Sequence, residues 1–292
     1  MEDFTIALIQ HGSPVGRKKE NLKATIRWTR KAKEAGAQVV CFPELNITGH
    51  AGSPEMVREA EPVPGGEAVE RLCTLAAELG VYISAGIAED DRGIHYNTQF
   101  VVGPEGYLGK QRKTHLSADE YFYFRHGTAL PVFDLPIVRM GIIICYDNAM
   151  PEIARCLAMQ GAEVLFCPHA ARFGKWPKDQ AGIEAVVVRR KENWRMVHAC
   201  RAYDNGCYVA LCNTAGRSAT RIKGVEANHA GGCMVFDPNG RLITESQRKD
   251  IGEEMVVAPL NGEAVASRRR QTCFNLQTRR PEVFSALTSP TG

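Results

Sequence analysis

The chain contains the apolar run Gly141-Ile142-Ile143-Ile144-Cys145, followed at once by Tyr146-Asp147-Asn148-Ala149-Met150-Pro151-Glu152. The apolar run predicts a buried strand, and the residues from Pro151 onward predict a helix, with only a short turn between the two. A strand that ends on a thiol before such a turn presents that thiol at the edge of a sheet. Cys145 is therefore a candidate nucleophile.

Two other predicted strands end on charged side chains. Val39-Val40-Cys41-Phe42-Pro43-Glu44 ends on a carboxylate, and Gly109-Lys110-Gln111-Arg112-Lys113 ends on an ammonium group. A thiol beside a cation is acidified, and a carboxylate can accept its proton. We therefore expect Glu44, Lys113 and Cys145 to meet at one edge of a sheet and to make the chain an enzyme.

The composition narrows the class of protein. With 292 residues, 44% of them hydrophobic, the chain can bury a large core. A charged fraction of 24% and a net charge of +3 argue against disorder and against a nucleic-acid partner. No apolar run approaches the ~18–20 residues of a membrane helix, so no membrane partner is expected. Met1-Glu2-Asp3-Phe4 leads directly into a strand and does not resemble a signal peptide, which favours the cytoplasm.

Ten cysteines are present without a Cys-x-x-Cys pair. Their spacing is not that of a disulfide framework, so nine of the ten are interpreted as free thiols in a reducing compartment. Cys167-Pro168-His169 and His198-Ala199-Cys200 lack the paired spacing of zinc sites. Since no phosphate-binding loop is visible either, the sequence predicts no metal and no organic cofactor.

Strands and helices alternate through the whole chain, which predicts mixed sheets covered by helices. No low-complexity linker divides the chain, so a single domain over 1–292 is expected, with a basic C-terminal arm from about Arg268. The predicted strands are 4–10, 38–42, 81–88, 96–102, 137–145, 162–167, 207–213, 232–237, 241–245 and 254–258, with 98–112 as a hairpin. The predicted helices are 16–37, 66–80, 151–161 and 179–203.

Three motifs in this order resemble those of the nitrilase superfamily, the carbon–nitrogen hydrolases: Phe42-Pro43-Glu44, Lys113-Thr114-His115-Leu116, and Cys145-Tyr146-Asp147 with Pro151-Glu152. The resemblance implies an α/β fold, a four-layer α-β-β-α sandwich of two mixed sheets covered by helices. Further matching landmarks are Glu120, Phe124 and Gly127, then Arg201-Ala202, Asn205 and Asn213, then Gly231-Gly232 with Asp237-Pro238-Asn239-Gly240, and Arg280-Pro281-Glu282.

The resemblance also implies roles for the site residues. Glu44 is the expected general base, first on the thiol and then on water. Lys113 and the backbone N–H of Tyr146 are expected to stabilise the oxyanion, with Glu120 as a second carboxylate that orients Lys113 or the substrate. Taken singly, each of the three main residues also fits a structural role. Glu44 fits a solvated charge on a loop, Lys113 fits a solvent-exposed run of basic residues, and Cys145 fits a thiol of the core.

The residues after the nucleophile bear on the substrate. Tyr146-Asp147 resembles the amidase and carbamoylase branches, whereas true nitrilases usually carry Trp-Glu there. The expected substrate is therefore a small amide or ureido compound that releases ammonia, with a nitrile as the alternative. Asn148 and Ala149 stand where the carbamoyl-D-amino-acid branch has arginines, which weakens the case for an α-carboxylate at that position.

Tyr146, Asn148 and His169 are the candidate substrate-binding residues, although His169 fits equally well as a loop residue packed on Phe173. Arg172 and Lys175 fit either of two roles: contact with an acidic substrate, or exposure to solvent on a loop.

Other functional classes remain open at this point. A non-enzymatic binding protein on the same fold is possible, although the intact Glu44, Lys113 and Cys145 count against it. A Cys–His hydrolase would need His115 or His169 beside the thiol. A glutaminase module is disfavoured, because the length leaves no room for a second catalytic domain.

We also expect a homodimer or a higher homo-oligomer, since in the family the helices beside the cysteine and the C-terminal arm commonly meet the partner subunit. The candidate interface residues, which fit equally well as ordinary core positions, are Met150, Ile153, Val187 and Trp194.

Overall fold

The computed structural model describes residues 1–220, 222 and 225–289 and contains two six-stranded sheets and one three-stranded sheet. In spatial order the first large sheet is β15-β1-β2-β3-β4-β5, the second is β14-β13-β10-β8-β7-β6, and the small sheet is β11-β12-β9. The strands are β1 Phe4–Gln10, β2 Val39–Cys41, β3 Tyr82–Asp91, β4 Ile94–Gly103, β5 Gly106–Arg112, β6 Val132–Leu135, β7 Val138–Ile142, β8 Val164–His169, β9 Arg172–Phe173, β10 Tyr208–Asn213, β11 Ala215–Ala219, β12 Glu226–Ala230, β13 Cys233–Phe236, β14 Leu242–Glu245 and β15 Glu254–Leu260.

The two large sheets share one pattern of strand directions. Each has three parallel strands, β1-β2-β3 in the first sheet and β10-β8-β7 in the second. The flanking pairs in each sheet are antiparallel. Both sheets are therefore mixed, as the alternation of strands and helices predicts.

The helices cover the outer faces of the two large sheets. The α-helices are α1 Lys18–Glu34, α2 Glu55–Arg58, α3 Glu67–Leu79, α4 Pro151–Met159, α5 Gln180–Asn205 and α6 Gly262–Arg269. Gly80 and Gly206 end α3 and α5 in the left-handed conformation, where glycine has no Cβ to clash. Within the described residues, no helix combines the length and the apolar character that a bilayer span requires.

Strand β1 shows how the layers are built. Ile6 and Leu8 lie in the core between the two large sheets, together with Phe166 of the second sheet. Ala7 and Ile9 point the other way, into a cluster with residues of α1 and α3. Successive side chains on a strand alternate between faces, so a strand covered on both sides is apolar throughout.

The second sheet repeats this arrangement against α4 and α5, with Leu157 and Trp194 packed on Leu165 and Val209. The four-layer α-β-β-α sandwich is confirmed.

The elements that the sequence did not predict carry weak local signals. Strand β9 has two residues, and β11 reads Ala-Gly-Arg-Ser-Ala, which lacks the β-branched and aromatic residues that favour strands. The others are α2, β6, β12 and α6. These short pieces are held by their tertiary neighbours rather than by their own propensity.

The basic C-terminal arm from about Arg268, which in the sequence fits either a solvated arm or a docking segment for a second subunit, begins in contact with the body of the protein. Arg268 lies within α6 and is buried, and its guanidinium donates to the Tyr203 carbonyl near the end of α5. Arg269 donates to the carbonyl of Ala162 at 2.5 Å. The basic run is thus docked on the body of the protein, because its guanidinium groups satisfy backbone carbonyls at the ends of other elements. Residues 290–292 of the predicted arm lie outside the described residues.

Candidate active site

A buried cluster of one cation and two anions forms the base of the candidate site. Lys113 directly follows β5, and its Nζ donates to Oε1 of Glu44 and to Oε2 of Glu120, both at 2.7 Å. All three side chains are fully buried. Lys113 is therefore not part of a solvent-exposed basic run, and Glu44 is not a solvated charge on a loop.

The cluster holds its charges in spite of its burial. Burial lowers the pKa of Lys113, but the charges of Glu44, Cys145 and Glu120 outweigh this effect, and the net pKa is raised. For Glu120, burial raises the pKa, whereas hydrogen bonds and charges from His50 and Lys113 lower it more strongly, so the net pKa is well below its ordinary value. Lys113 is thus an ammonium and Glu120 a carboxylate at neutral pH.

Further donors complete the shell around the two carboxylates. Asn97 Nδ2 donates to Oε1 of Glu44 at 2.8 Å and to Oε1 of Glu120 at 2.9 Å. The backbone N–H of Ala170 donates to the other Glu44 oxygen at 2.7 Å, and Ser117 donates to Glu120 through both its N–H and its hydroxyl. Asn97 belongs to an alternating strand without a motif, so nothing in the sequence marks it.

Cys145 lies at a strained turn next to this cluster. It begins a 3₁₀ helix, Cys145–Ala149, after β7, and its φ is +48°, a backbone conformation that is costly for a residue with a Cβ. Leu45 and Ala118, beside Glu44 and Glu120, also have positive φ. The residue Cys145 is half-buried, whereas the side chains of the charged cluster are fully buried.

The protonation of the thiol differs from the expectation that a neighbouring cation acidifies it. Burial raises the pKa of Cys145, the charge of Glu44 and a hydrogen bond to that carboxylate raise it further, and Lys113 lowers it less than these effects raise it. The thiol is therefore protonated at neutral pH. Glu44 is the hydrogen-bonded base that can take the proton during attack.

The site also differs from the predicted convergence at one edge of one sheet. Glu44 and Lys113 follow β2 and β5 of the first sheet, whereas Cys145 follows β7 of the second. The three groups meet because the two sheets pack face to face. A convergence across two sheets cannot be read from strand ends alone, since each sheet has its own edge.

Asp147 joins the two halves of the site. It is buried, and its carboxylate accepts from the backbone N–H of His115 at 2.7 Å and from the Thr114 hydroxyl at 2.8 Å. These contacts link the residues after Lys113 to the residues after Cys145. The sequence presents Asp147 only as a marker of the substrate branch, and its positioning role emerges from the structure.

Two of the three candidate substrate-binding residues are found beside the nucleophile. Tyr146 keeps 45% of its surface exposed next to Cys145. The Asn148 amide is turned into the protein, where its Nδ2 donates to the carbonyl of Ile143 at 3.2 Å and to that of Cys145 at 3.1 Å. Asn148 therefore supports the turn and is not brought into the substrate space.

The third candidate, His169, ends β8 and is buried, with its ring 5.2 Å from that of Trp194 and its Nε2 3.3 Å from Nε2 of His198. It packs on these residues rather than on Phe173. Burial lowers the pKa of His169 well below its ordinary value, with His198, Arg190 and Lys113 adding to the effect, so the ring is neutral.

The alternative of a Cys–His hydrolase finds little support. His115 is 42% exposed, and its Nδ1 lies 3.0 Å from Asp147. The Nε2 of His169 faces His198. The pKa of the Cys145 thiol is instead raised, after burial, mainly by the neighbouring carboxylate of Glu44.

One set of side chains in the described part of the chain has the geometry of a metal site. Ligand atoms of Glu44, His50 and Glu120 lie within 4.8 Å of one another. Lys113 Nζ contacts both carboxylates, so the chain itself places one cation between these two anions.

Comparison with known proteins agrees with this fold and identifies the family. Residues 5–270 match the family model of the carbon-nitrogen hydrolases. The carbon–nitrogen hydrolase of Helicobacter pylori G27 superposes with a TM-score of 0.80 over 99% of both chains at 23% identity, a likeness of fold. The chain belongs to the carbon–nitrogen hydrolase family, within the nitrilase superfamily, and is an enzyme that hydrolyses carbon–nitrogen bonds.

Curated relatives carry three different names. A nitrilase of Pyrococcus abyssi is 39% identical over 56% of this chain and 63% of its own length. An N-carbamoylputrescine amidase of Solanum lycopersicum is 30% identical over 93% of this chain and 91% of its own. The omega-amidase NIT2 of Xenopus tropicalis is 30% identical over 98% of each chain. Amide-type activities thus accompany the matches that cover nearly the whole chain.

Proposed function

We propose that the chain hydrolyses the amide or N-carbamoyl bond of a small molecule and releases ammonia, with Glu44, Lys113 and Cys145 as the catalytic groups. The observation that carries the proposal is the ammonium of Lys113 held between two buried carboxylates beside a half-buried thiol on a strained turn. Amidase-type relatives that match over nearly the whole chain support the amide class.

In the first half of the reaction, the Cys145 sulfur attacks the carbonyl carbon while its proton passes to Glu44. The carbonyl oxygen gains negative charge and is stabilised by Lys113 Nζ and the backbone N–H of Tyr146. Glu44 then returns the proton to the leaving nitrogen, so that ammonia departs and a thioester on Cys145 remains.

In the second half, Glu44 accepts a proton from a water molecule that attacks the thioester carbon. The same two donors stabilise the second oxyanion. Its collapse breaks the carbon–sulfur bond, releases the acid and restores the protonated thiol. Because Asn97 and Ala170 hold both Glu44 oxygens, one carboxylate can serve both half-reactions without rearranging.

Glu120 serves as a positioning residue in this scheme. Its contacts go to Lys113, Asn97, Ser117 and His50, all within the protein. It therefore acts through Lys113, by holding the ammonium where the oxyanion forms.

A panel of amides, ureido compounds and nitriles, assayed for ammonia release, tests the proposal. Cys145→Ala is expected to lose all turnover while the fold is retained by circular dichroism. Mass spectrometry of the wild type under turnover should show one acyl adduct, on Cys145. Cys156→Ala, which removes an exposed thiol on α4, is the matched control and should keep full activity. An active Cys145→Ala variant would overturn the assignment.

Nitrile hydrolysis is the second candidate, favoured by the nitrilase relative from Pyrococcus abyssi. A thiol attacks a nitrile carbon in the same way, and the intermediate differs in its nitrogen. Nitrile turnover above that of every amide and ureido compound in the panel would reverse the order of the two candidates.

We further propose that the chain works in a reducing compartment such as the cytoplasm, because its ten cysteines are free thiols. We also propose that it assembles as a homo-oligomer. Of the four candidate interface residues, Ile153, Val187 and Trp194 are buried within the monomer, and Met150 is half-buried. Met159 and Met196, on the outward faces of α4 and α5, are exposed by 55% and 66% and are better placed.

Sedimentation at micromolar concentration should give at least twice the 32.2 kDa chain mass, and Met196→Glu should weaken assembly. A fully active wild-type monomer would refute this proposal.

A further inference from the structure

Two buried histidines contact each other next to the backbone that holds Glu44. His169 is the last residue of β8 and His198 lies on α5, and the two residues are 4% and 1% exposed. Their Nε2 atoms lie 3.3 Å apart, and Nδ1 of His198 lies 3.0 Å from the carbonyl oxygen of Trp194. The reaction scheme above uses neither ring.

The positions of the protons on the two rings follow from these contacts. Burial lowers the pKa of both histidines, that of His198 to about 4, so each ring is neutral at neutral pH and carries one N–H. The Trp194 carbonyl can only accept, so Nδ1 of His198 carries the hydrogen and its Nε2 has a free electron pair. Nε2 of His169 must then carry the hydrogen of that ring and donate it to His198.

The hydrogen bond, rather than packing, selects the orientation of the His169 ring. The centroid of this ring lies 5.2 Å from that of the Trp194 ring. Turned by 180° about its Cβ–Cγ bond, the imidazole would fill nearly the same space but direct a C–H instead of an N–H at His198. A buried N–H that loses its acceptor costs free energy, so the bond to His198 favours one orientation.

The peptide group between His169 and Ala170 transmits this constraint to the site. Its N–H donates to Oε2 of Glu44 at 2.7 Å, and its carbonyl accepts from the N–H of Thr214 at 3.1 Å. The ring of His169 is carried by the residue that supplies this carbonyl. A ring held by His198 therefore restrains the peptide group against the carboxylate.

We propose that His198 is a positioning residue of the reaction, which holds the His169 ring through one hydrogen bond and thereby the peptide group that fixes Glu44. The inference rests on the proposed function, in which Glu44 is the base of both half-reactions. A side chain without an acceptor at position 198 should let the His169 ring turn and the peptide group shift. Small displacements of a catalytic group slow the chemical steps, whereas substrate binding should change little.

Two variants separate the hydrogen bond from the packing of the His198 side chain. Leucine offers no acceptor, whereas Oε1 of glutamine can accept from His169 as Nε2 of histidine does. We expect His198→Leu to lower kcat by about 10- to 100-fold with KM within about twofold, and His198→Gln to keep kcat within about threefold of the wild type. Cys200→Ala, at an exposed position of the same helix, is the control and should change neither value.

The tautomers themselves can be observed in long-range ¹H–¹⁵N correlation spectra of the full chain labelled with ¹⁵N-histidine. At neutral pH, His198 should appear as the Nδ1–H form and His169 as the Nε2–H form. The signals are assigned by their loss in His198→Gln and in His169→Gln. In His198→Leu the His169 signals should shift or broaden, because the ring is no longer held in one orientation.

The opposite tautomer on either ring of the wild type, a wild-type kcat in His198→Leu, or an equal loss of kcat in His198→Leu and His198→Gln would overturn the inference. A complete absence of ammonia release from amides, ureido compounds and nitriles would instead refute the proposed function. The spectra distinguish the two failures, because the tautomers are read without turnover.

Discussion

The two large sheets contribute to the site in opposite ways. The first supplies Glu44 and Lys113, which are fully buried and hydrogen-bonded on every side. The second supplies Cys145, which is half-buried and strained. The ionic groups are thus placed in the interior, where a low dielectric strengthens their interactions, and the proposed nucleophile belongs to a residue that is less completely buried.

Among the variants that test this difference between the two sheets, Lys113→Met should have the largest effect on activity and stability. Removing the oxyanion donor should reduce kcat by at least about 10²–10³-fold. It also leaves two buried carboxylates without their cation, and loss of one partner of a buried ion pair costs about 3–5 kcal/mol of unfolding free energy. Steady-state kinetics and urea unfolding measure the two effects. Lys33→Met, which removes an exposed lysine on α1, is the control and should change neither value.

Asp147→Asn tests the connection between the two sheets. The variant keeps the shape but weakens the bonds to Thr114 and His115, so the turn at Cys145 is held less firmly against Lys113. We expect kcat to fall by roughly 10- to 100-fold, since catalysis depends on small displacements. Unfolding should become easier by about 1–3 kcal/mol. Asp134→Asn, at an exposed position of β6 in the same sheet, should stay within about 0.5 kcal/mol of the wild type. Unchanged kinetics in Asp147→Asn would show that the two halves are aligned by packing alone.

Asn97→Ala removes the one neutral side chain that bridges both buried carboxylates. Each of them loses a donor, for which we expect a cost of about 1–3 kcal/mol in unfolding free energy and a fall in kcat smaller than that of Asp147→Asn. Unfolding in urea and the pH profile of kcat/KM are the measurements. A variant as stable as the wild type would mean that water replaces the amide.

The smallest predicted effect concerns pH and the second sheet. Burial lowers the pKa of His198, on α5, from 6.5 to about 4. The unfolded state therefore binds a proton more readily than the folded state, and the stability that this histidine contributes is complete above pH 6.5 and is lost as the pH falls toward 4.

The urea midpoint of the wild type should fall over that interval, and His198→Gln should fall less steeply. His126→Gln is the control, because its ring is exposed and is not desolvated on folding. Identical slopes for the wild type and His198→Gln would contradict the prediction.

The cluster around Glu120 should respond to acid only at lower pH. Glu120 has a folded pKa below its ordinary value of 4.5, so its contribution is complete above that pH and is lost as the pH falls through the depressed value. Hydrogen exchange at pH 5 should therefore show weaker protection around α5 than around β5.

Much of the molecule follows from local patterns in the chain. The strands with continuous apolar residues, such as β1 and β8, were predicted within a few residues because both of their faces are covered. Helices α3 and α5 end at glycines as predicted. Weakly patterned pieces such as β9 and β11 were missed because contacts with neighbouring strands hold them.

In the site, too, local sequence patterns predict only some of the residues that take part. The basic run around Lys113 contains side chains with different surroundings: Lys110 and Arg112 pair with Glu89, whereas Lys113 is directed into the interior. The sequence does not distinguish these three charges. Nor does it identify Asn97 or Ala170, because an amide or a backbone N–H acquires a role only when folding places it beside Glu44.

The alternation of strands and helices in the sequence predicts mixed sheets covered by helices, and the order of the motifs indicates the family and identifies Glu44, Lys113, Glu120 and Cys145 as candidate site residues. Periodicity and motif order can be read from the chain alone. Two properties follow only from the tertiary structure: the raised pKa of the Cys145 thiol, and the link that Asp147 makes between the two sheets. These properties depend on desolvation and on distances between residues far apart in sequence, and both arise only when the two sheets pack together.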